Sequence, residues 1–144
     1  MTVSAIAEIL GGKKALKKRV ETSAELVALT RAGLPAIILN TLARELALHR
    51  VAVAKLLGIS ERTLSRRVTI NARLTAEESD RMVRLARVLA LAKETLGDLA
   101  KAGHWLQTPN RALGGERPFD RLDTDAGVRS VEQLLGRIAY GLYS

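Results

Sequence analysis

The side chains best suited by type and spacing to do chemistry lie in residues 60–69, SERTLSRRVT. Written as a helix, this stretch puts Leu64 and Val68 four apart and inward, so Arg62, Ser65, Arg66 and Thr69 face out. A guanidinium can fork onto the paired acceptors of guanine in a DNA major groove. Hydroxyls near a helix start, here Ser60 and Thr63, can reach phosphate oxygens. Ser60, Arg62, Thr63, Ser65, Arg66, Arg67 and Thr69 are therefore the candidate DNA-binding residues. Elsewhere the chemistry is thin. His49 and His104 lack metal-ligand or catalytic spacing and read as surface or helix-end residues. Asp120, Asp123 and Asp125 form a carboxylate cluster, but capping and first-turn placement explain them more simply. Cysteine is absent, and no P-loop, dinucleotide fingerprint or GxSxG elbow is present. The expectation is a non-enzyme with no catalytic residue, metal or cofactor.

The elements that must position the 60–69 row form a helix-turn-helix pattern over residues 51–68. Residues 51–57 make a first short helix, Gly58-Ile59-Ser60 the turn, and 61–68 the second helix. Ala54 is small enough for two helices to cross closely. Gly58 stands where the chain needs positive φ, Ile59 plugs the gap between the helices, and Ser60 caps the second one. A helical hairpin with a solvated polar face is the alternative reading of the same residues. Charge favours DNA. Of the net +8, residues 1–72 carry 12 Lys/Arg against 5 Asp/Glu, whereas 73–144 carry 11 against 10. One such unit touches few bases, so useful specificity calls for a dimer on a roughly palindromic site.

The remaining chain also reads as helix. Hydrophobic residues make up 47% of 144, with much Ala and Leu and few β-branched runs, which predicts an all-α protein. Residues 2–10 form a short helix stopped at Gly11-Gly12, and the basic run 13–19 is marginally helical, either a phosphate-seeking arm or a solvated helix face or mobile segment. Ser23 can cap a helix that ends before Gly33, and Pro35 suits the first turn of the next. Thr75 and Glu78 form a capping box that opens the longest helix, about 76–96. Met82, Leu85, Leu89, Ala92 and Leu96 repeat along it as a core seam or a dimer interface. Gly97 and Gly103 interrupt the segment after it, and Thr124 with Asp125 starts a last helix to about 140. The expected division is 1–74, with the helix-turn-helix, and 75–144. No apolar run approaches ~18 residues, so a soluble, unprocessed, cytoplasmic protein without a membrane partner is expected.

Residues 105–127, WLQTPNRALGGERPFDRLDTDAG, crowd turns and caps into a short space. Trp105 and Leu106 read as core, Gly114-Gly115 as a tight turn, and Pro118 as the opening of a short helix or turn. The order Trp105-Leu106, Pro109-Asn110, Ala112 to Gly115, Pro118, Leu122, Thr124, Gly127, Val131, Leu135, Ile138 and Gly141 resembles the toxin-binding domain of the MbcA/ParS/Xre antitoxin family. Within that pattern Trp105, Pro109, Asn110, Gly114, Gly115, Pro118 and Gly127 are structural markers. Phe119-Asp120-Arg121 departs from the more aliphatic stretch the family would place there. With the upstream helix-turn-helix, the whole chain is similar to Xre-type antitoxins of RES–Xre pairs. The resemblance implies a RES-domain toxin that consumes NAD⁺ as partner, operator DNA as a second partner, and a homodimer that forms a hetero-oligomer with the toxin. Terminal tyrosines give much contact area for little lost entropy, so Arg137, Tyr140, Gly141, Tyr143 and Ser144 are the candidate toxin-binding residues. The rival expectation is a dimeric helix-turn-helix regulator whose C-terminal domain senses a small molecule.

Overall fold

A computed structural model describes residues 1–141, so Leu142, Tyr143 and Ser144 lie outside the described residues. Among the described residues it contains nine α-helices: α1 Val3–Ile9, α2 Gly12–Leu16, α3 Ser23–Ala32, α4 Ile37–Glu45, α5 Arg50–Leu57, α6 Glu61–Thr69, α7 Ala76–Leu96, α8 Leu99–Leu106 and α9 Asp125–Ala139. Two 3₁₀ turns, Arg111–Leu113 and Pro118–Arg121, join α8 to α9. The all-α expectation is met. The described residues hold no strand, only one antiparallel bridge between Pro35 and Arg73.

Helix α7 organises everything else. Thr75 accepts a hydrogen bond from Glu78 N–H at 3.2 Å, and the Glu78 carboxylate accepts one from Thr75 N–H at 2.9 Å, the reciprocal box the sequence implied. α1, α3 and α5 pack against this helix, as do α8 and α9. Met82, Leu85, Leu89 and Ala92 are at most 1% exposed, so the apolar seam is spent on the intrachain core. Burying Met82, Leu85 and Leu89 contributes about 1.5 to 3 kcal/mol each before the loss of chain entropy is subtracted. Buried Ser79 accepts the N–H of Leu34 at 2.8 Å and so ties α7 to the segment between α3 and α4. Buried side chains from Ile6 to Leu135 form one continuous cluster.

Two local expectations change. Thr22, not Ser23, caps α3: its hydroxyl accepts Glu25 N–H at 3.1 Å while Glu25 reaches back to Thr22 N–H, and a complete box outcompetes a lone serine. Gly103 interrupts nothing; it lies inside α8. A Cβ there would come within 3.2 Å of Leu46 Cδ2, so glycine serves the close approach of α8 to the end of α4. The marginal helix expected in the basic run 13–19 is present over its first part. α2 ends at Lys17 in the left-handed region, and Leu16 and Val20 are buried.

Candidate nucleic-acid and protein-binding surfaces

Helices α5 and α6 cross as a helix-turn-helix because small Ala54, 1% exposed, lets them approach, and Gly58 turns the chain at φ +80°. At Gly58 a Cβ would stand 2.6 Å from Arg81 Nη1, so the turn also admits a side chain from α7. Ser60 caps α6 by accepting Thr63 N–H at 3.1 Å, and its hydroxyl lies 3.0 Å from Thr63 Oγ1. Leu64 is fully buried and Val68 packs against the core.

That anchoring sorts the candidate row. Arg62, Arg66 and Thr69 are exposed along one face of α6, with half-buried Thr63 beside them. Ser65 is half-buried and accepts a hydrogen bond from Arg50 Nη2 at 3.0 Å. Arg67 differs from its neighbours: it turns toward α7 and pairs with Glu78, its side chain 19% exposed. Since Glu78 is itself part of the α7 capping box, Arg67 joins two helices of the core. Arg50 is invisible to sequence reasoning, because it sits fifteen residues from Ser65 and their contact exists only once α5 and α6 cross. Its Nε is buried and unpartnered.

The turn-rich block builds a rigid base for α9. Asn110 anchors a closed loop: its N–H donates to Glu116 O at 3.0 Å, its carbonyl accepts Gly115 N–H at 2.9 Å, and its side chain accepts Ala112 N–H at 3.0 Å. Gly114 and Gly115 both adopt positive φ in that loop, as a tight turn requires. Arg121 then clamps it, with Nη2 donating to Leu113 O at 3.1 Å and Nε 3.5 Å from Glu116 Oε1. Trp105 packs against the core from α8, and Phe119 is 6% exposed, so it supplies apolar burial under the second 3₁₀ turn. Arg117 holds Asp120 in a two-pronged pair at 2.9 and 2.7 Å, which lowers the Asp120 pKa below the ordinary aspartate value.

Thr124 opens α9 by accepting Gly127 N–H at 3.0 Å. Val128, Val131, Leu134 and Leu135 are buried, while Arg129, Gln133, Arg137 and Tyr140 form an exposed stripe on the opposite side. Tyr140 is 83% exposed, in contrast to Trp105 and Phe119. Gly141 is exposed as well, and Tyr143 and Ser144 lie outside the described residues. His49 precedes α5 and His104 lies in the last turn of α8, both exposed. Among the described residues no three His, Cys, Asp or Glu side chains form a group that could hold a metal ion. No helix among them is long and apolar enough to cross a membrane.

Comparison with known proteins assigns both regions. Residues 25–87 match the model described as an antitoxin Xre-like helix-turn-helix domain. Residues 91–141 match the antitoxin Xre/MbcA/ParS C-terminal toxin-binding domain. A protein named Antitoxin Xre from Photorhabdus laumondii is 35% identical over 118 residues, covering 81% of this chain and 80% of its own length. Another Antitoxin Xre, from Yersinia enterocolitica, is 38% identical over 96 residues, covering 66% of this chain and 65% of its own. A chain of the M. tuberculosis MbcT-MbcA toxin-antitoxin complex superposes with a TM-score of 0.54 over 87% of this chain and 100% of its own. At 22% identity that likeness speaks for the fold alone.

Proposed function

The chain belongs to the Xre antitoxin family, and from that premise we propose that it neutralises a RES-domain toxin that consumes NAD⁺ and represses its own operon. The observation that carries the reading is the tandem of a helix-turn-helix match and a toxin-binding match built on one core around α7. In this reading Arg62 and Arg66 fork onto base edges or phosphates, with Thr63 and Thr69 beside them. Two copies meet a palindromic operator, because one recognition helix reads too few bases. Toxin contact falls to the α9 stripe ending in Arg137 and Tyr140, together with Gly141 and the segment through Tyr143 and Ser144. An exposed tyrosine beside an arginine has the composition of a binding hot spot.

Expression of the adjacent open reading frame tests the toxin half. Alone it should arrest growth and deplete cellular NAD⁺, and co-expression of this chain should restore both. A harmless neighbour would instead favour a regulator with a ligand-sensing C-terminal domain.

A further inference from the structure

We propose that the lysines of α2 and the turn after it, Lys13, Lys14, Lys17 and Lys18, form a second DNA-backbone contact that clamps phosphates flanking the recognition helix. The inference rests on the DNA-binding reading above but concerns a segment outside both family matches, the first of which begins at residue 25.

Charge is the first observation. Residues 13–19 carry five cations and no acid, and so hold most of the excess positive charge of the first half of the chain. All five are exposed. Arg19 lies 3.7 Å from Glu21, whereas Lys13, Lys14, Lys17 and Lys18 form no ion pair among the described residues. The nearby Glu25 is already engaged: the N–H of Glu21 and the Thr22 hydroxyl hold its pKa down, with Lys18 as the smallest contributor.

Rigidity is the second. A five-residue helix is not stable alone, yet α2 is pinned by Leu10, Leu16 and Val20, each at most 5% exposed. Lys17 adopts φ +66°, a conformation usually left to glycine or asparagine, and here a cation occupies it at the helix end. The lysines therefore stand on a fixed backbone, so binding a phosphate costs side-chain freedom but no ordering of the segment itself.

Placement is the third. Gly11 and Ala15 line one groove with Ile37 and Thr41 of α4. Ala36, just before α4, donates its N–H to Ala72 O at 3.0 Å, just past the end of α6. The basic segment and the C-terminal end of the recognition helix thus both flank α4. Four exposed cations that form no ion pair among the described residues, on a segment that shares α4 with the recognition helix, suit the phosphate row at a groove's edge.

The test uses full-length protein, a duplex from upstream of its own operon, and a random duplex of equal length. Affinity is measured by fluorescence anisotropy across about 50 to 200 mM salt. The Lys13→Gln/Lys14→Gln/Lys17→Gln/Lys18→Gln variant should bind both duplexes more weakly and by the same factor. Its plot of log K against log salt should be shallower by about 0.9 for each phosphate released, two to four in all. Replacing the same four lysines with arginine should keep the slope, and the double variant Lys14→Gln/Lys18→Gln should lose about half the change. An unchanged slope in the glutamine variants while the wild type binds its operator overturns the clamp and leaves the groove assignment standing. If the wild type binds neither duplex, both readings fall. Lost toxin binding with an unchanged slope would make α2 a protein-binding surface and also overturn the proposal.

Discussion

The carbonyl oxygen of Arg121 occupies the space in which a Cβ on Gly127 would stand, and the Arg121 carbonyl carbon is only 2.8 Å from that position. The first turn of α9 is thereby pressed against the 3₁₀ turn that precedes it, while Gly127 N–H feeds the Thr124 cap. Backbone, unlike the end of a flexible side chain, cannot swing aside. Gly127→Ala should therefore destabilise the fold by several kcal/mol through displacement of the turn or the cap. Gly136, in the same helix, has nothing within 4 Å of the place a methyl group would take, so Gly136→Ala should stabilise by about 0.5 to 1 kcal/mol. Urea unfolding of the two variants and wild type reads the contrast. Equal midpoints for Gly127→Ala and wild type would show that the close approach is not there.

Arg62, Arg66 and Arg67 look alike in sequence and should separate in the laboratory. Arg62→Ala and Arg66→Ala remove exposed side chains, so thermal stability should hardly move while operator affinity falls by about 1 to 3 kcal/mol for each one that forks onto a base. Arg67→Ala strands Glu78, whose side chain is 12% exposed, and should cost about 2 to 3 kcal/mol of stability. Thermal melts and anisotropy on the same preparations distinguish the cases. A stable Arg67→Ala protein with selectively lost DNA binding would return Arg67 to the DNA face.

Asp120 should leave a small acid signature. The paired Arg117 hydrogen bonds favour its charged form, against the opposing effect of burial, and its folded pKa is below the unfolded one. Its contribution is then fully present above the ordinary aspartate range and is lost as pH falls through the lower folded value. Both side chains are 42% exposed, so the contribution should stay under about 1 kcal/mol. Comparing wild type with Asp120→Asn, the stability gap should narrow as pH is lowered through that range. A gap that widens in acid would contradict the sign.

The helical class, the helix-turn-helix and the α7 capping box are all legible because each is written locally, in a period of 3.6 residues or a three-residue spacing. Gly103 misleads for the same reason. Its role is the approach of Leu46, fifty-seven residues away, and sequence spacing carries no trace of it. Composition groups Arg67 with Arg62 and Arg66, since only the fold that brings the first turn of α7 to α6 shows that it reaches Glu78. Ser65 likewise reads as a free hydroxyl until Arg50 is placed beside it. Of the toxin-binding candidates, the sequence marks Tyr140 as unusual; it is 83% exposed, whereas Trp105 and Phe119 pack against or within the core as apolar bulk.

Tyr140 offers the sharpest separation between folding and neutralisation. It caps the C-terminus of α9 through its backbone, N–H donating to Gly136 O at 3.1 Å, so the side chain can be changed without disturbing that bond. A side chain 83% exposed contributes little to folding, and Tyr140→Ala should leave the melting temperature unchanged within about 1 °C. If the α9 stripe meets the toxin, the same change should weaken the complex by about 2 kcal/mol or more, roughly thirtyfold in affinity. Arg137→Ala should act in the same direction, and Arg129→Ala, whose guanidinium is 3.1 Å from Asp125 near the other end of the helix, should act less. Isothermal titration with the purified toxin, alongside growth rescue in cells, measures all three. Full affinity and full rescue by the Tyr140→Ala/Arg137→Ala double variant would move the toxin-binding surface away from the end of α9.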